Sequence, residues 1–99
     1  MKNKINKLLD EIAKAEYKYY KSREEYYNKK KTLFINMDWN KINEQREIEG
    51  LDKLTSEKKR EYYIDTQLQN EHEYYKSCEL HYLALKREFE FQMEQYIKG

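Results

Sequence analysis

From Ile64 to Tyr96 the chain steps through Ile64, Leu68, Glu71, Tyr75, Cys78, Tyr82, Leu85, Phe89, Gln92 and Tyr96 in alternating strides of four and three. Eight of these ten positions are apolar or aromatic, and an α-helix laid against a partner is the structure that brings them into one line. The first third repeats the pattern. Ile5, Ile12, Tyr19, Tyr26 and Leu33 recur every seven residues, with Leu8, Ala15 and Ser22 at the offset of three. A second comb, Ala13, Tyr20, Tyr27 and Phe34, lies beside this seam and widens it. No proline interrupts either segment, and Lys, Glu, Leu and Gln favour helix throughout. The spacing predicts helices over about residues 3–35 and 55–97, roughly 50 and 63 Å long at the standard rise. Only Glu71 and Gln92 break the second seam, and polar seam positions set register or partner choice at some cost in stability.

The pattern changes in the middle. Asn36-Met37-Asp38-Trp39-Asn40 is rich in turn and N-cap residues, so Asp38 or Asn40 can open a short helix over about 40–49. Gly50 follows as its C′ residue, and Asp52, Thr55 or Ser56 can cap the final helix. The alternative is one helix from about 40 to 97 through Gly50, at a cost of roughly 1 kcal/mol. The comb loses phase between residues 43 and 61, which favours the break. The expected fold is all-α: one domain over residues 1–99, an antiparallel helical hairpin or coiled coil with a short middle helix.

Charge supports that pairing. Residues 1–32 carry ten Lys/Arg against five Asp/Glu, and residues 62–99 carry four against seven, so the outer helices are complementary. Two helices leave much of each stripe uncovered, and a homodimer making a four-helix bundle would cover it. Only 19 residues are Leu, Ile or Phe and none is Val, but the net charge of +1 lacks the self-repulsion of a disordered chain. One cysteine cannot form an internal disulfide, and the uncharged runs are too short for a bilayer or a signal peptide. A cytoplasmic protein without membrane contact is expected. Sixteen Lys against four Arg, with many Asn, Ile and Tyr, match A/T-rich codons and hint at a low-GC bacterium or one of its viruses.

Chemistry finds little footing. Cys78 and His81 are i,i+3 neighbours, but a structural zinc site needs four ligands and Cys78 falls on the core seam. A helix interior has no free backbone N–H groups for an oxyanion hole. With two glycines there is no phosphate-binding loop. No catalytic residue, metal or cofactor is expected, and the chain is read as a non-enzyme.

The eleven tyrosines carry the functional signal. Tyr19-Tyr20, Tyr26-Tyr27, Tyr62-Tyr63 and Tyr74-Tyr75 are adjacent pairs, and adjacent helical residues point about 100° apart. One member of each pair can face the seam while the other faces out. Tyr also suits a shallow core, since its ring is buried while its hydroxyl stays wet. Tyr17, Tyr20, Tyr27, Tyr63 and Trp39, with Lys29, Lys30 and Lys31, are the candidate partner-binding residues, because Tyr and Trp dominate interface hot spots. Trp39 can equally plug the end of the hairpin. A nucleic-acid reading uses Lys14, Lys18, Lys21, Arg23 and Lys29–Lys31 interleaved with Tyr17, Tyr20 and Tyr27, where bases stack on Tyr and Lys meets phosphate.

Two resemblances bear on function. Length, a helical hairpin, Trp39 near the turn and Tyr75-Lys76-Ser77-Cys78-Glu79 resemble the secreted Trp-x-Gly proteins of type VII secretion and their Tyr-x-x-x-Asp/Glu export pattern. Lys41 stands where that family has Gly, and the Tyr75 pattern lies inside a helix, so membership is not assigned. In size, charge and lack of motif the chain is similar to accessory proteins of phages and mobile elements, anti-CRISPR proteins among them, which act by occluding a larger host protein. The expectation is a non-enzymatic interaction module, sharpened to a phage-type inhibitor of a host nuclease or nucleoprotein complex. A nucleic-acid-binding accessory protein and a secretion-associated hairpin are the alternatives.

Overall fold

The computed structural model describes residues 2–99. Among these residues the chain forms four helices and no strand: α1 (Lys2–Asn36), α2 (Trp39–Ile48), α3 (Glu57–Gln67) and α4 (Gln69–Lys98). α1 lies antiparallel along α4 and touches α3, giving a rod of 66 × 21 × 18 Å. Its radius of gyration is 20.3 Å, against about 13 Å for a compact chain of this length.

The heptad seam is the interface. Ile5, Leu8, Ala15, Ser22 and Tyr26 are buried on α1, and Ile64, Leu68, Tyr75 and Gln92 on the returning helical arm of the hairpin. The buried polar members are satisfied within their own helices. Ser22 Oγ donates to the Tyr19 carbonyl at 2.9 Å, and Gln92 Nε2 to Glu88 Oε1 at 2.9 Å. The densest packing lies toward the turn, where Tyr26, Ile64, Leu68 and Tyr75 form a cluster flanked by Leu33, Phe34, Met37 and Trp39.

The turn is built from caps. Asp38 accepts from the Lys41 amide at 3.1 Å and opens α2. At the other end Gly50 takes φ 76°, its amide donates to Glu47 O and the Leu51 amide to Arg46 O, the two bonds of a Schellman motif. The helix therefore breaks at Gly50. Asn43 then holds the connecting loop, accepting from the Leu54 amide at 2.7 Å and donating to its carbonyl at 3.3 Å. Arg46 and Arg60 bond the Asp52 and Leu54 carbonyls. Ser56 caps α3 through the Lys59 amide.

One expectation is corrected. The final helix is not continuous over 55–97 but is interrupted at Leu68, with φ −103° and ψ 32°. The Leu68 amide still donates to Ile64 and its carbonyl accepts from His72, so the interruption is a local bend. It lies where Leu68 is buried and Asp65, one turn earlier, meets Tyr26 and Lys30 of α1. Such long-range contacts do not show in the seam's spacing, which runs through Leu68 in phase.

Candidate interaction surfaces

A two-helix rod has two broad sides, and the seam defines which residues face each. Residues that immediately follow seam positions project to one side, and residues that precede them to the other. In an antiparallel pair both helices send their following residues to the same side. Contacts across the hairpin confirm this: Tyr82, on the seam, donates to Glu16 at 3.2 Å, and Tyr19 donates to Glu79 at 2.8 Å. Tyr20 sits 6.4 Å from the Tyr82 ring, and Tyr27 6.2 Å from that of Tyr75.

The side of following residues is aromatic and apolar. On α1 it presents Leu9, Ala13, Tyr20 and Tyr27, and on α4 Leu83, Met93 and Ile97. All but Met93 are exposed, and Met93 is half-buried. Its charges are of both signs: Glu16, Arg23 and Lys30 on α1, Lys76, Glu79, Lys86 and Glu90 on α4. Arg23 lies 5.3 Å above the Tyr27 ring.

The opposite side is basic. α1 presents Lys4, Lys7, Lys14, Lys18 and Lys21 there, with Glu11 and Glu25, and none of these lysines joins an ion pair among the described residues. α4 adds Tyr74, His81, Glu88 and Phe91. Tyr17 lies on the outer edge of α1, with Lys21 5.6 Å from its ring centre.

This division redistributes the candidate residues. Tyr17, Tyr20 and Tyr27 are exposed, with Tyr17 on the outer edge of α1, where it lines one groove with Ala13, Tyr20 and Lys21. Tyr63 is not the outward member of its pair. It is half-buried, with its ring 6.1 Å from that of Trp39, while Tyr62 is 72 % exposed. Trp39 is likewise half-buried: its indole N–H donates to the Phe34 carbonyl at 3.1 Å, and Arg60 lies 5.0 Å above its ring. It closes the turn end of the core. Lys29 and Lys30 face the hairpin, where they pair with Glu71 at 3.4 Å and Asp65 at 3.1 Å. Lys30 retains only 17 % side-chain exposure. Of the three consecutive lysines, only Lys31 stands clear.

The interleaving of cations and aromatics along α1 persists on the surface only in part. Arg23 and Lys30 lie over the Tyr27 ring and Lys21 over that of Tyr17, whereas Lys14 and Lys18 face the side away from Tyr20 and Tyr27. Leu9, Leu83 and Ile97 belong to the aromatic side and were missed by a search for aromatic residues. The positions one residue after each seam residue would have found them.

Burial and hydrogen bonding also tune the hairpin's tyrosines. The bond to Glu79, and then burial, raise the Tyr19 hydroxyl above its ordinary pKa. Burial and the bond to Asp65 raise Tyr26, and burial raises Tyr75 and Tyr82. Each becomes a more reluctant acid, which suits a structural donor. Among the described residues no three His, Cys, Asp or Glu are grouped to hold a metal ion, and no helix is long and apolar enough to cross a membrane.

Compared with known protein families, curated proteins and solved structures, the chain matches none.

Proposed function

We propose that this chain is a non-catalytic protein-interaction module, and that its contact surface is the side bearing Leu9, Ala13, Tyr20, Tyr27 and Leu83. One observation carries the reading: Leu9, Tyr20, Tyr27, Leu83 and Ile97 stand exposed on one broad side of the rod, whereas the other carries the free lysines together with Tyr74 and Phe91. Apolar groups that share one exposed side mark an interaction site. Ring-bearing anchors rimmed by charges of both signs are the composition of a protein interface. The internal hydrogen bonds and ion pairs hold the rod's backbone, so its surface is presented ready-made.

A rod of this kind acts by occupying another macromolecule's surface. Steric inhibition of a larger host protein, as by a phage-type inhibitor, is the sharper form of the proposal. The test is capture of binding proteins by the tagged chain, in nuclease-treated extract of a low-GC Gram-positive host, with Tyr20→Ala/Tyr27→Ala alongside. Loss of a discrete captured protein with unchanged helicity supports the assigned face. Undiminished capture by the double variant removes it, and a signal that disappears with nuclease moves the lysine side to the front.

A further inference from the structure

We infer that the lysine side binds single-stranded nucleic acid, with Lys14, Lys18 and Lys21 on its phosphates and a base on the Tyr17 ring. This site lies back to back with the aromatic side. Both can be occupied at once, and each stands or falls without the other.

Over one stretch the positive charge of that side is unopposed. Between Glu11 and Glu25, α1 presents Lys14, Lys18 and Lys21 there, all exposed. The hairpin's register, with Glu16 level with Tyr82 and Tyr19 with Glu79, sets Ser77, His81 and Ala84 of α4 beside them. No carboxylate of either helix stands on that side within the stretch. Lys29 and Lys30, one or two turns further along α1, are by contrast answered by Glu71 and Asp65. A run of cations without acidic partners is complementary to a polyanion.

An aromatic ring stands among these cations. Tyr17 lines one open groove with Lys14, Lys18 and His81, floored by Ala15, and Lys21 lies 5.6 Å from its ring centre. The ring is 66 % exposed, so its face is open to a base while the neighbouring ammonium groups meet phosphate. Glu11 stands at one end of the groove and opposes an anion there. Tyr74 and Phe91 place two further exposed rings on the same side, one beyond each end of the lysine cluster.

Shape selects the single strand. The lysines follow one helix, and from Lys4 to Lys21 they span about 25 Å. A flexible strand can follow that line and offer unpaired bases to the rings, whereas a duplex keeps its bases stacked inside. A lipid surface would require aliphatic groups beside the cations, and the exposed Leu9, Leu83 and Ile97 stand on the other side.

The test is fluorescence anisotropy of the full chain with labelled oligo(dT) and oligo(U) of about fifteen nucleotides, and with the corresponding dT·dA duplex. Co-sedimentation with phosphatidylserine vesicles runs alongside. Single strands are expected to bind, and three phosphate contacts weaken that binding about twenty-fold between about 50 and 200 mM salt. Lys14→Glu/Lys18→Glu should lose at least about tenfold in affinity and flatten the salt dependence. Lys41→Glu/Lys58→Glu makes the same charge change near the turn, far beyond the screening length, and should alter affinity by less than about twofold. Tyr17→Ala should lose about tenfold with the salt dependence unchanged, and Glu11→Gln should bind more tightly. Circular dichroism checks each fold, and Lys14→Gln/Lys18→Gln replaces the charge reversal if that disturbs α1. Failure of both strands to bind at the lower salt overturns the site, and undiminished binding by the Lys14/Lys18 variants overturns its placement. Equal or tighter binding of the duplex, or binding of the vesicles alone, overturns the single strand as the occupant.

Discussion

Tyr19 donates a 2.8 Å hydrogen bond to Glu79 across the hairpin, although the two residues stand 60 apart in sequence. Both lie on or beside the seam, and the neighbouring Tyr82–Glu16 bond, at 3.2 Å, runs in the opposite sense. Together they fix the level at which α1 and α4 meet. Tyr19→Phe keeps the ring and deletes the bond, so it should cost about 1 kcal/mol. A urea midpoint that falls with an unchanged slope is the expected result; an unaltered midpoint would show that water replaces the contact at no cost.

Alkaline stability follows from the raised tyrosines. Tyr19, Tyr26, Tyr75 and Tyr82 all hold their protons more tightly in the fold than in the open chain. The native state then binds more protons than the unfolded state above the ordinary tyrosine value of about 10, and stability falls as pH rises through that range. Below it the contribution is fully present. Thermal melts at rising pH should show a steep loss beginning near that value, shallower in Tyr26→Phe. A flat profile in the wild type would contradict the assignment.

The Lys29–Glu71 pair occupies facing seam positions yet remains solvent-exposed, with 60 % and 42 % side-chain exposure. It is expected to contribute little, as exposed and screened ion pairs do. The Lys29→Leu/Glu71→Leu double variant should therefore raise the melting temperature by extending the apolar seam. If that variant melts lower than the parent, the pair stabilises the hairpin more than an exposed ion pair ordinarily can.

Gly50 sits at φ 76° with open space where a Cβ would stand. Gly50→Ala thus meets no neighbour, and its cost is backbone strain alone, about 1–2 kcal/mol. Gly50→Asn should recover part of that loss. Equal melting temperatures for the Ala and Asn variants would mean that the turn had relaxed into another conformation.

The seam was legible because periodicity reports which residues share a face, and Ile5, Leu8, Tyr26, Tyr75 and Gln92 are buried where strides of three and four place them. Capping chemistry located α2 and the break at Gly50 for the same local reason. Long-range placement was not legible. Lys30 reads as a free cation until Asp65 is seen 3.1 Å away. Tyr62 and Tyr63 are identical in type, and only the Trp39 ring decides which one turns inward. Nor does a linear stripe of Lys and Tyr disclose that Lys14 and Lys18 part from Tyr20 and Tyr27 while Arg23 stays over the Tyr27 ring, because that depends on where the second helix lies.

The concentration of packing around Tyr26, Ile64, Leu68 and Tyr75, close to the turn, gives the rod a direction. Toward the chain ends the buried seam residues are Ile5 and Leu8 on one side and Gln92 on the other. Local openings should therefore begin at the ends and travel inward like a zip. Amide exchange would be fastest near residues 2–8 and 90–98 and slowest around the tyrosine cluster. A binding partner that grips the free ends would meet helices already half parted, whereas one that grips the turn would meet the most rigid part of the molecule.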